Sequence, residues 1–465
     1  MIMRKNSIAI INLAFLASCF MVSCSTEAFD TNQPVKGARI VIPAQKMSTK
    51  AVGTDGKATF LTSENVYIAK AGVIDANAIH PSAESASTTF AGTLKETYSQ
   101  GDKITVLYNT NASGVVDYSG QDGSIGSVKD AGYAEDVEIV SYSEGVLTTE
   151  SAKIQNLQSI FKFTFTNGST NAEISGIRFV RVYSTNNTLV SSYNAKAKSS
   201  THGPVTISRS DNLADNYIYA ALRFDSNPGD EIVFQVVDNA GNVYSGSKVA
   251  PSAGFENGNI YNSSVVVNRY TFTVDASAGA KVCISPGDLG PDVFLAPFTN
   301  YKNTNSCFDG TDITNSLTNK TVYGVSGWHI PNDGVGTNEL QVIYSSRPIT
   351  DGVNRWYRVT INEKCCLLLP PDETNATDVE SDLTGGTVEN YLKYLKKGFV
   401  LLEDTGGYYQ PRQASPWKTL YGTGIYRVRQ NSKYFAFGSN NAPYFKSVNN
   451  STSYKARVRL LHTVN

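Results

Sequence analysis

The chain has 465 residues, and its formal net charge is −1 at pH 7 because 40 lysines and arginines nearly balance 41 aspartates and glutamates. This balance excludes the strongly basic surface that nucleic-acid binding requires. The length suits about two to four domains. Glycine (37) and tyrosine (26) are abundant, methionine (4) is scarce, and apolar residues come in short runs between turn residues, which favours a β-rich protein.

The N-terminus has the pattern of an export signal. Arg4 and Lys5 precede a mainly apolar run over residues 8–17, which is shorter than the roughly 20 residues of a membrane-spanning helix. Residues 1–24 are therefore predicted to be a signal peptide. The rest of the chain is expected to be exported.

Two cysteines near the end of this segment, Cys19 and Cys24, follow small residues and resemble the lipobox cysteine of bacterial lipoproteins. We favour Cys24 as the acylated residue, because polar Ser25, Thr26 and Glu27 follow it. Cys19 is the alternative, and an ordinary secretory signal without lipid also remains open. Lipidation at either cysteine would place the protein on the cell outer membrane, exposed at the surface, held by a lipid such as palmitate.

Alternating strands come next in chain order. Residues 101–110 carry Ile104, Val106 and Tyr108 in alternation, and residues 159–168 carry three phenylalanines in alternation before an Asn-Gly turn. Residues 176–194 and 230–246 each predict a hairpin. Short antiparallel strands of this kind predict two β-sandwiches, over residues 25–150 and 151–268.

The rare residues indicate a further domain, placed at residues 270–465. Every tryptophan, and every cysteine after the signal, lies beyond residue 280. Two helical patterns occur there. One begins with Thr387 as N-cap and ends at Gly398, and the other begins at Thr337 or Asn338.

The first part of the chain resembles the fimbrillin superfamily of major and minor fimbrial subunits. The segments that carry this resemblance are YSQGDKITVLY (98–108), AGYAED (131–136), AKIQNLQSIFKFTFTN (152–167), YIYAALRF (217–224) and GNVYSGSKVAPSAGFENGNIYNSSVVV (241–267). The resemblance implies two transthyretin-like β-sandwich domains. It also implies that a surface protease removes the first strand and that a strand donated by another fimbrial subunit replaces it, which is β-augmentation.

In this chain, the removed strand would be the segment at residues 38–44, about 38–45, in which Ile40 and Ile42 share one face. The cut would follow Lys50 and leave Ala51 as the new N-terminus. The family usually has arginine at this point, so a Lys-directed enzyme or a cut at Arg39 is the alternative. Lys50 in an uncut, solvated loop also remains open.

The last part of the chain is similar to an extracellular module with an α+β C-type-lectin-like fold, of the Fibrobacter-major-paralogue and formylglycine-generating-enzyme-like kind. The segments that carry this similarity are GAKVCISPGDLG (279–290), GWHIPNDGVGTNELQVIYSSRP (327–348), WYRVTINEKCCLLLPPDE (356–373), LKKGFVLLEDTGGY (395–408), GTGIYRVR (422–429) and KARVRLL (455–461). The fold class expected for the whole chain is therefore mostly β, with an α+β domain at its end.

Four cysteines in this part predict disulfides, with three possible connectivities. They are Cys283, Cys307, Cys365 and Cys366. Adjacent residues on a strand point to opposite faces, so Cys365 and Cys366 are not expected to pair with each other, and one of them bonding Cys283 or Cys307 is the expectation.

We expect neither an enzyme nor a cofactor. The sequence contains no nucleophile elbow, no zinc-protease helix and no phosphate-binding loop. Formylglycine-generating oxidases share this broad fold, but the sequence has no cysteine in a motif comparable to the one they carry late in the chain. The four histidines lie far apart without a second ligand at metal spacing, so no metal site is predicted. They are His80, His202, His329 and His462.

A loop-rich aromatic stretch offers candidate ligand contacts at Tyr409 and Trp417, although these rings could equally belong to the core. Only four residues follow Leu461, too few for a separate donor strand. The sequence therefore predicts a tip-type fimbrial subunit and adhesin whose lectin-like head binds a host or bacterial surface glycan or protein. The alternative is a non-polymerising surface glycan-binding lipoprotein.

Overall fold

The computed structural model of the chain is mostly β, and one α-helix has both of its ends among the residues that it describes. The described residues are 33–47, 59–209, 215–275, 278–291, 293–296, 317–331, 333–334, 337–339, 343, 357–361, 364–373, 388–403, 407–409, 417–419, 423–427, 433–438, 444–447 and 458–464.

A nine-stranded sheet forms the first part, in the order β4-β3-β8-β10-β11-β2-β6-β5, with β12 paired to β10 and β2. A short β1 pairs with β7 beside it. The strands are β1 (Val35–Lys36), β2 (Arg39–Lys46), β3 (Val66–Lys70), β4 (Val73–Ile74), β5 (His80–Pro81), β6 (Ser87–Thr93), β7 (Thr97–Tyr98), β8 (Lys103–Tyr108), β10 (Gly132–Ser143), β11 (Val146–Thr149) and β12 (Ala152–Asn156).

This sheet folds back on itself through its longest strand. β10 pairs with β8 through its first half and, after a register shift, with β11 through its second half. One apolar core therefore takes side chains from both sides of a sandwich-like unit. The predicted alternation on β8 is confirmed, since Ile104, Val106 and Tyr108 all lie in this core.

The second part is a ten-stranded sheet in the order β16-β15-β18-β13-β21-β20-β19-β14-β17, with β9 paired to β15. Its strands are β9 (Val115–Asp117), β13 (Ser159–Asn167), β14 (Ile177–Ser184), β15 (Leu189–Asn194), β16 (Ser199–His202), β17 (Val205–Ser208), β18 (Tyr217–Phe224), β19 (Glu231–Asp238), β20 (Val243–Val249) and β21 (Ile260–Arg269).

Two predicted features of this second unit are confirmed. The alternating phenylalanines of β13, Phe161, Phe163 and Phe165, are at most 3% exposed and lie in its core. β19 and β20 form the predicted hairpin. Its turn is stabilised by the Asp238 carboxylate, which accepts hydrogen bonds from the backbone amides of Ala240 and Asn242.

The hairpin predicted over residues 176–194 is wrong. β14 pairs with β17 and β19, whereas β15 pairs with β9, β16 and β18, so the two strands do not pair with each other. All eight residues of β14 are buried. β14 lies next to the edge strand β17, and the turn after β14 sends the chain to β15 near the opposite end of the sheet.

Sheet membership changes between Asn156, where β12 ends, and Ser159, where β13 begins. The predicted division at 150/151 therefore precedes β12, which still pairs within the first sheet. β9 also crosses this division, because it comes from the first part of the chain and pairs with β15 of the second sheet. A domain boundary predicted from sequence cannot show that a strand from one part of the chain pairs within the sheet of the other part.

The remaining described strands form several small sheets. The strands are β22 (Phe272–Asp275), β23 (Ala280–Ile284), β24 (Lys320–Val322), β25 (Val325–His329), β26 (Asp333–Gly334), β27 (Thr337–Asn338), β28 (Tyr357–Ile361), β29 (Lys364–Leu369), β30 (Val400–Leu402), β31 (Gly407–Tyr409), β32 (Trp417–Thr419), β33 (Thr423–Arg427), β34 (Lys433–Gly438), β35 (Tyr444–Ser447) and β36 (Leu461–Thr463). The lectin-like fold expected for this part stays a prediction.

The predicted helix near residue 390 is present as α1 (Val388–Leu395), with Tyr391, Leu392 and Leu395 buried. Gly398 follows it with φ +78, and a Cβ there would lie 2.1 Å from the Tyr270 ring, so both backbone conformation and space favour glycine. Of the second predicted helix, Thr337 and Asn338, the predicted caps, form β27, Glu339 and Ile343 are helical, and most of the other residues are outside the described ones.

The C-terminal part packs on the second sandwich. Tyr183 and Val233 share an apolar cluster with α1. Arg181, 1% exposed, donates to the carbonyl oxygens of Pro286 at 3.1 Å and of Phe294 at 2.5 Å. The second sandwich therefore has a fixed neighbour on this side.

Candidate functional site

β2, the strand predicted to be removable, lies in the interior of the nine-stranded sheet. The side chains of Ile40, Ile42 and Ala44 face the core and are 0%, 0% and 3% exposed. Val41 is half-buried and Pro43 exposed, so the predicted alternation is confirmed. Burial of each isoleucine stabilises the fold by about 1.5–3 kcal/mol. A sandwich without β2 would expose an apolar groove.

Both backbone edges of β2 are paired. On one side β2 runs antiparallel to β6, from Arg39 opposite Thr93 to Gln45 opposite Ser87. On the other side it runs parallel to β11 and then to β12. Removal of β2 would leave two strand edges with unpaired donors and acceptors, which is the template that an added strand requires.

Pro43 lies where this pairing is interrupted. The parallel register covers residues 39–41 against β11 and residues 44–46 against β12, so Pro43 falls between the two ladders. On the other side, the carbonyl of its partner Thr89 accepts a hydrogen bond from the Ser82 amide at 2.8 Å. A residue without an N–H is tolerated at a break of this kind.

The last residue of β2, Lys46, carries a buried charge. Its side chain is 1% exposed and forms an ion pair with Asp130, whose side chain is 11% exposed. The Nζ atom also donates to the Thr59 carbonyl at 3.0 Å and lies 4.9 Å and 4.8 Å from the ring centroids of Phe60 and Tyr108. β2 therefore ends in a pocket that is built around its lysine.

A second carboxylate borders this pocket. Glu64 accepts hydrogen bonds from the Tyr108 hydroxyl and from the Leu61 amide at 2.7 Å. Burial raises the pKa of Glu64, although the Tyr108 and Leu61 hydrogen bonds and the Lys46 charge oppose the rise. Burial, together with the carboxylates of Asp130 and Glu64, raises the pKa of Tyr108. The pocket thus places the Lys46 ammonium group between the Asp130 carboxylate and the rings of Phe60 and Tyr108.

The predicted processing and lipidation residues fall mainly outside the described residues. Cys19, Cys24, Lys50 and Ala51 all lie there. The alternative processing residue, Arg39, is the exposed first residue of β2, and its amide donates to the Gly145 carbonyl at 3.2 Å. These assignments remain predictions.

Of the four cysteines predicted to form disulfides, Cys283 is a buried free thiol, and its Sγ lies 3.6 Å from the Tyr270 carbonyl oxygen. Burial raises the pKa of the Cys283 thiol to about 12. A bridge to Cys283 is therefore not formed in this structure. Cys366 is buried, Cys365 belongs to the same strand β29, and Cys307 lies outside the described residues.

The two candidate ligand contacts come together in the fold. Tyr409 of β31 and Trp417 of β32 are register partners in a two-stranded antiparallel sheet. Tyr426, from the same aromatic stretch, is fully buried, and its hydroxyl accepts a hydrogen bond from the Glu403 amide at 2.8 Å. At least one ring of this stretch is therefore core.

Lys46, Asp130 and Glu64 were missed by sequence reasoning. Lys46 continues the every-second-residue phase of Ile40, Ile42 and Ala44, and this phase was a usable signal. Asp130 lies 84 residues away from Lys46, in a loop without a strand pattern of its own. Among the residues that the structure describes, no group of three or more His, Cys, Asp or Glu side chains could hold a metal ion.

No protein-family model and no curated protein match the chain. Among solved structures, it is similar to a fimbrial protein from Bacteroides ovatus, with 11% identity and a TM-score of 0.26, over 92% of this chain and 99% of that one. It is also similar to a fimbrial assembly protein from Parabacteroides distasonis, with 8% identity and a TM-score of 0.28, over 53% of this chain and 94% of that one. Both TM-scores are too low to establish a common fold.

Within the part of the chain that the structure describes, no helix is both long and apolar enough to span a membrane.

Proposed function

We propose that this protein is a surface subunit that joins a fimbrium by exchanging its first sandwich strand, β2, for a strand of another subunit. The position of β2 carries the proposal. It is an interior strand whose buried side chains, Ile40, Ile42 and Ala44, fill one groove. It is also paired to the rest of the sheet along both edges.

The proposal requires hydrolysis of the backbone beyond β2 by a separate surface protease. A cut after Arg39 would leave Ile40–Lys46 joined to the rest of the sandwich, because Arg39 is only the first residue of the strand. A cut after Lys50 separates all of β2 from the chain that follows. Lys50 is therefore the processing site that suits strand exchange, and a Lys-directed protease is the matching enzyme class.

The test is the N-terminus of the protein in material sheared from the cell surface. A mature N-terminus at Ala51, in protein that co-purifies with filaments, is the expected result. Protein that still begins at lipidated Cys24 or Cys19 and never accompanies filaments would contradict the proposal and favour the non-polymerising lipoprotein.

Three variants sharpen this test. Lys50→Ala should abolish processing and filament association, and Arg39→Ala should leave both unchanged. Lys50→Arg identifies the protease, because an Arg-directed enzyme would process it and a Lys-directed one would not. Processing that fails in Arg39→Ala but persists in Lys50→Ala would move the cut to Arg39 and argue against release of the whole strand.

We further propose that the C-terminal part binds a surface glycan or protein at Tyr409 and Trp417. The observation that favours this role is that the two residues are register partners on β31 and β32. Aromatic side chains are common contacts for such ligands. The proposed position at a fimbrial tip stays a prediction from the sequence.

An array of host and bacterial surface glycans tests the binding site. Double substitution of Tyr409 and Trp417 by alanine should remove glycan signals that the parent protein gives. Lys418→Ala, next to Trp417 on β32, should retain them. Equal signals from both variants would place glycan binding elsewhere, and no signal from the parent protein would leave protein ligands as the class to screen.

A further inference from the structure

The pocket at the end of β2 holds one cation and two carboxyl groups, and only the cation belongs to β2. Lys46 is the cation of this pocket, and it belongs to the strand that is proposed to depart. Asp130 and Glu64 belong to the sandwich that remains. The ion pair of Lys46 with Asp130 is buried, and Phe60 and Tyr108 cover the ammonium group.

Loss of the lysine would leave Asp130 without its counter-ion. A buried ion pair gives little net stability compared with an apolar pair, but removal of one partner is strongly destabilising because the other charge stays desolvated. An incoming strand without a cation at this point would therefore bind with the same penalty. The pocket therefore disfavours the binding of strands that lack a basic residue at the Lys46 position, and this penalty gives specificity.

The register makes this requirement specific to one position. Side chains of a strand alternate between faces, so only residues in phase with Ile40, Ile42 and Ala44 enter the core. Gln45, one residue earlier than Lys46, is exposed. A lysine displaced by one residue would point to solvent and leave Asp130 unpaired.

We propose that the groove left by β2 selects a donor strand with a lysine two residues after an alternating run of small or branched apolar residues, and that Asp130 recognises this lysine. This inference rests on the proposed strand exchange. It names the chemistry of the partner: a strand in which the lysine sets the register of insertion.

The experiment uses the full chain after its signal, with a recognition sequence for a specific protease placed within residues 48–58. The folded protein is cut, and fluorescent peptides are added to compete with the non-covalently held β2. The first peptide is the native segment ARIVIPAQKM, residues 38–47. The second exchanges Gln45 and Lys46, which keeps composition and net charge and moves only the register of the lysine.

Fluorescence anisotropy should show the native peptide bound at least about a hundredfold more tightly than the register-exchanged one, as expected from the cost of an unpaired buried carboxylate. In protein with Asp130→Asn, this preference should fall below about tenfold. Asp102→Asn is the matched control, since Asp102 is an acid of the same sandwich that pairs with Lys70 at 2.8 Å and is partly exposed. The preference should survive in Asp102→Asn.

The outcomes separate the two proposals. Equal binding of both peptides to the cut protein would overturn lysine selection and leave strand exchange standing. Failure of both peptides to enter the cut protein, with β2 retained, would overturn strand exchange itself. A preference that persists in Asp130→Asn would assign the selection to something other than this carboxylate.

Discussion

The first strands of the two sandwiches, β2 and β13, hold equivalent places but are fixed in different ways. Each has an antiparallel neighbour on one side, β6 or β18, and parallel pairing on the other. β13 pairs with β21 through eight consecutive residues, whereas β2 has two ladders of three residues with Pro43 between them. β13 fills its core with phenylalanines, and β2 uses smaller side chains and a buried lysine.

Under the proposed strand exchange, this difference separates a permanent strand, β13, from a replaceable one, β2. Large aromatic rings on β13 contact one another and Phe234. These contacts give a unique, strongly held arrangement. Small apolar side chains make fewer contacts, and a buried ion pair contributes register more than net stability. This way of holding β2 is what the proposed strand exchange requires.

The largest expected effect lies in the permanent strand. Phe163→Ala should lower the free energy of unfolding by about 3–5 kcal/mol, because it removes a buried ring whose centroid lies 5.3 Å from that of Phe161 and 5.2 Å from that of Phe234. Urea unfolding followed by circular dichroism measures this free energy of unfolding. Thr164→Ala, the next residue on the opposite face, should change it by no more than about 0.5 kcal/mol. Similar losses for both would show that β13 is not a packed strand.

Amide hydrogen exchange should report the comparison directly. We expect the amides of Ile40 to Lys46, other than Pro43, which has none, to exchange at least about tenfold faster than those of Phe161 to Phe165. This corresponds to a difference of about 1.4 kcal/mol in opening free energy. Native-state exchange by mass spectrometry on the uncut protein gives both values in one sample. Slower exchange in β2 than in β13 would contradict its assignment as the replaceable strand.

A smaller effect concerns pH. Burial raises the pKa of Glu64 above its value in the unfolded chain, so the folded state holds this proton more tightly. As pH rises from the unfolded pKa of about 4.3 through the folded one, the parent protein should lose stability relative to Glu64→Gln. Urea unfolding at a series of pH values checks the slope of this difference. Thr164→Ala on β13 should show no such slope, and a difference that grows in the parent's favour would reverse the assigned shift.

Local patterns predicted most of the elements just compared. β2, β8 and β13 follow period-two alternation, the turn after Asp238 identifies the β19–β20 hairpin, and α1 follows an apolar stripe that ends at a glycine. Each signal lies within about 20 residues of sequence. The same locality explains the failure at β14 and β15, because a turn between two strands says nothing about which sheet either one joins.

The pocket around Lys46 shows a second limit of prediction from sequence. The in-phase lysine could have been noticed, but its partners Asp130 and Glu64 belong to loops with no pattern of their own, and only the folded sheets bring them to it. A lysine after an apolar run is usually solvated, and nothing local distinguishes a buried one. Sequence reasoning therefore predicted the alternation of β2 and missed the carboxylate that pairs with its lysine.

The smallest expected effect concerns the ion pair of Lys396 with Glu231, which joins the C-terminal part to the second sandwich. Burial alone would raise the pKa of Glu231, but hydrogen bonds from Lys396 and Ser247 outweigh it and lower that pKa. Lys396 belongs to the turn after α1, and its Nζ lies 2.8 Å from Glu231. Lys396→Met should cost at most about 1 kcal/mol at neutral pH, because both side chains are partly exposed.

The stability lost in Lys396→Met should become smaller under two conditions that leave the effect of Phe163→Ala unchanged. It should shrink as salt screens the pair. It should also shrink as pH falls through the lowered folded pKa, since a carboxylate held ionised in the fold stabilises only above the unfolded value. Lys393→Met, exposed in the last turn of the same helix, is the control. An equal, salt-independent loss in both variants would mean that the helix, rather than the ion pair, ties the C-terminal part to β19, and that the second sandwich is anchored by packing alone.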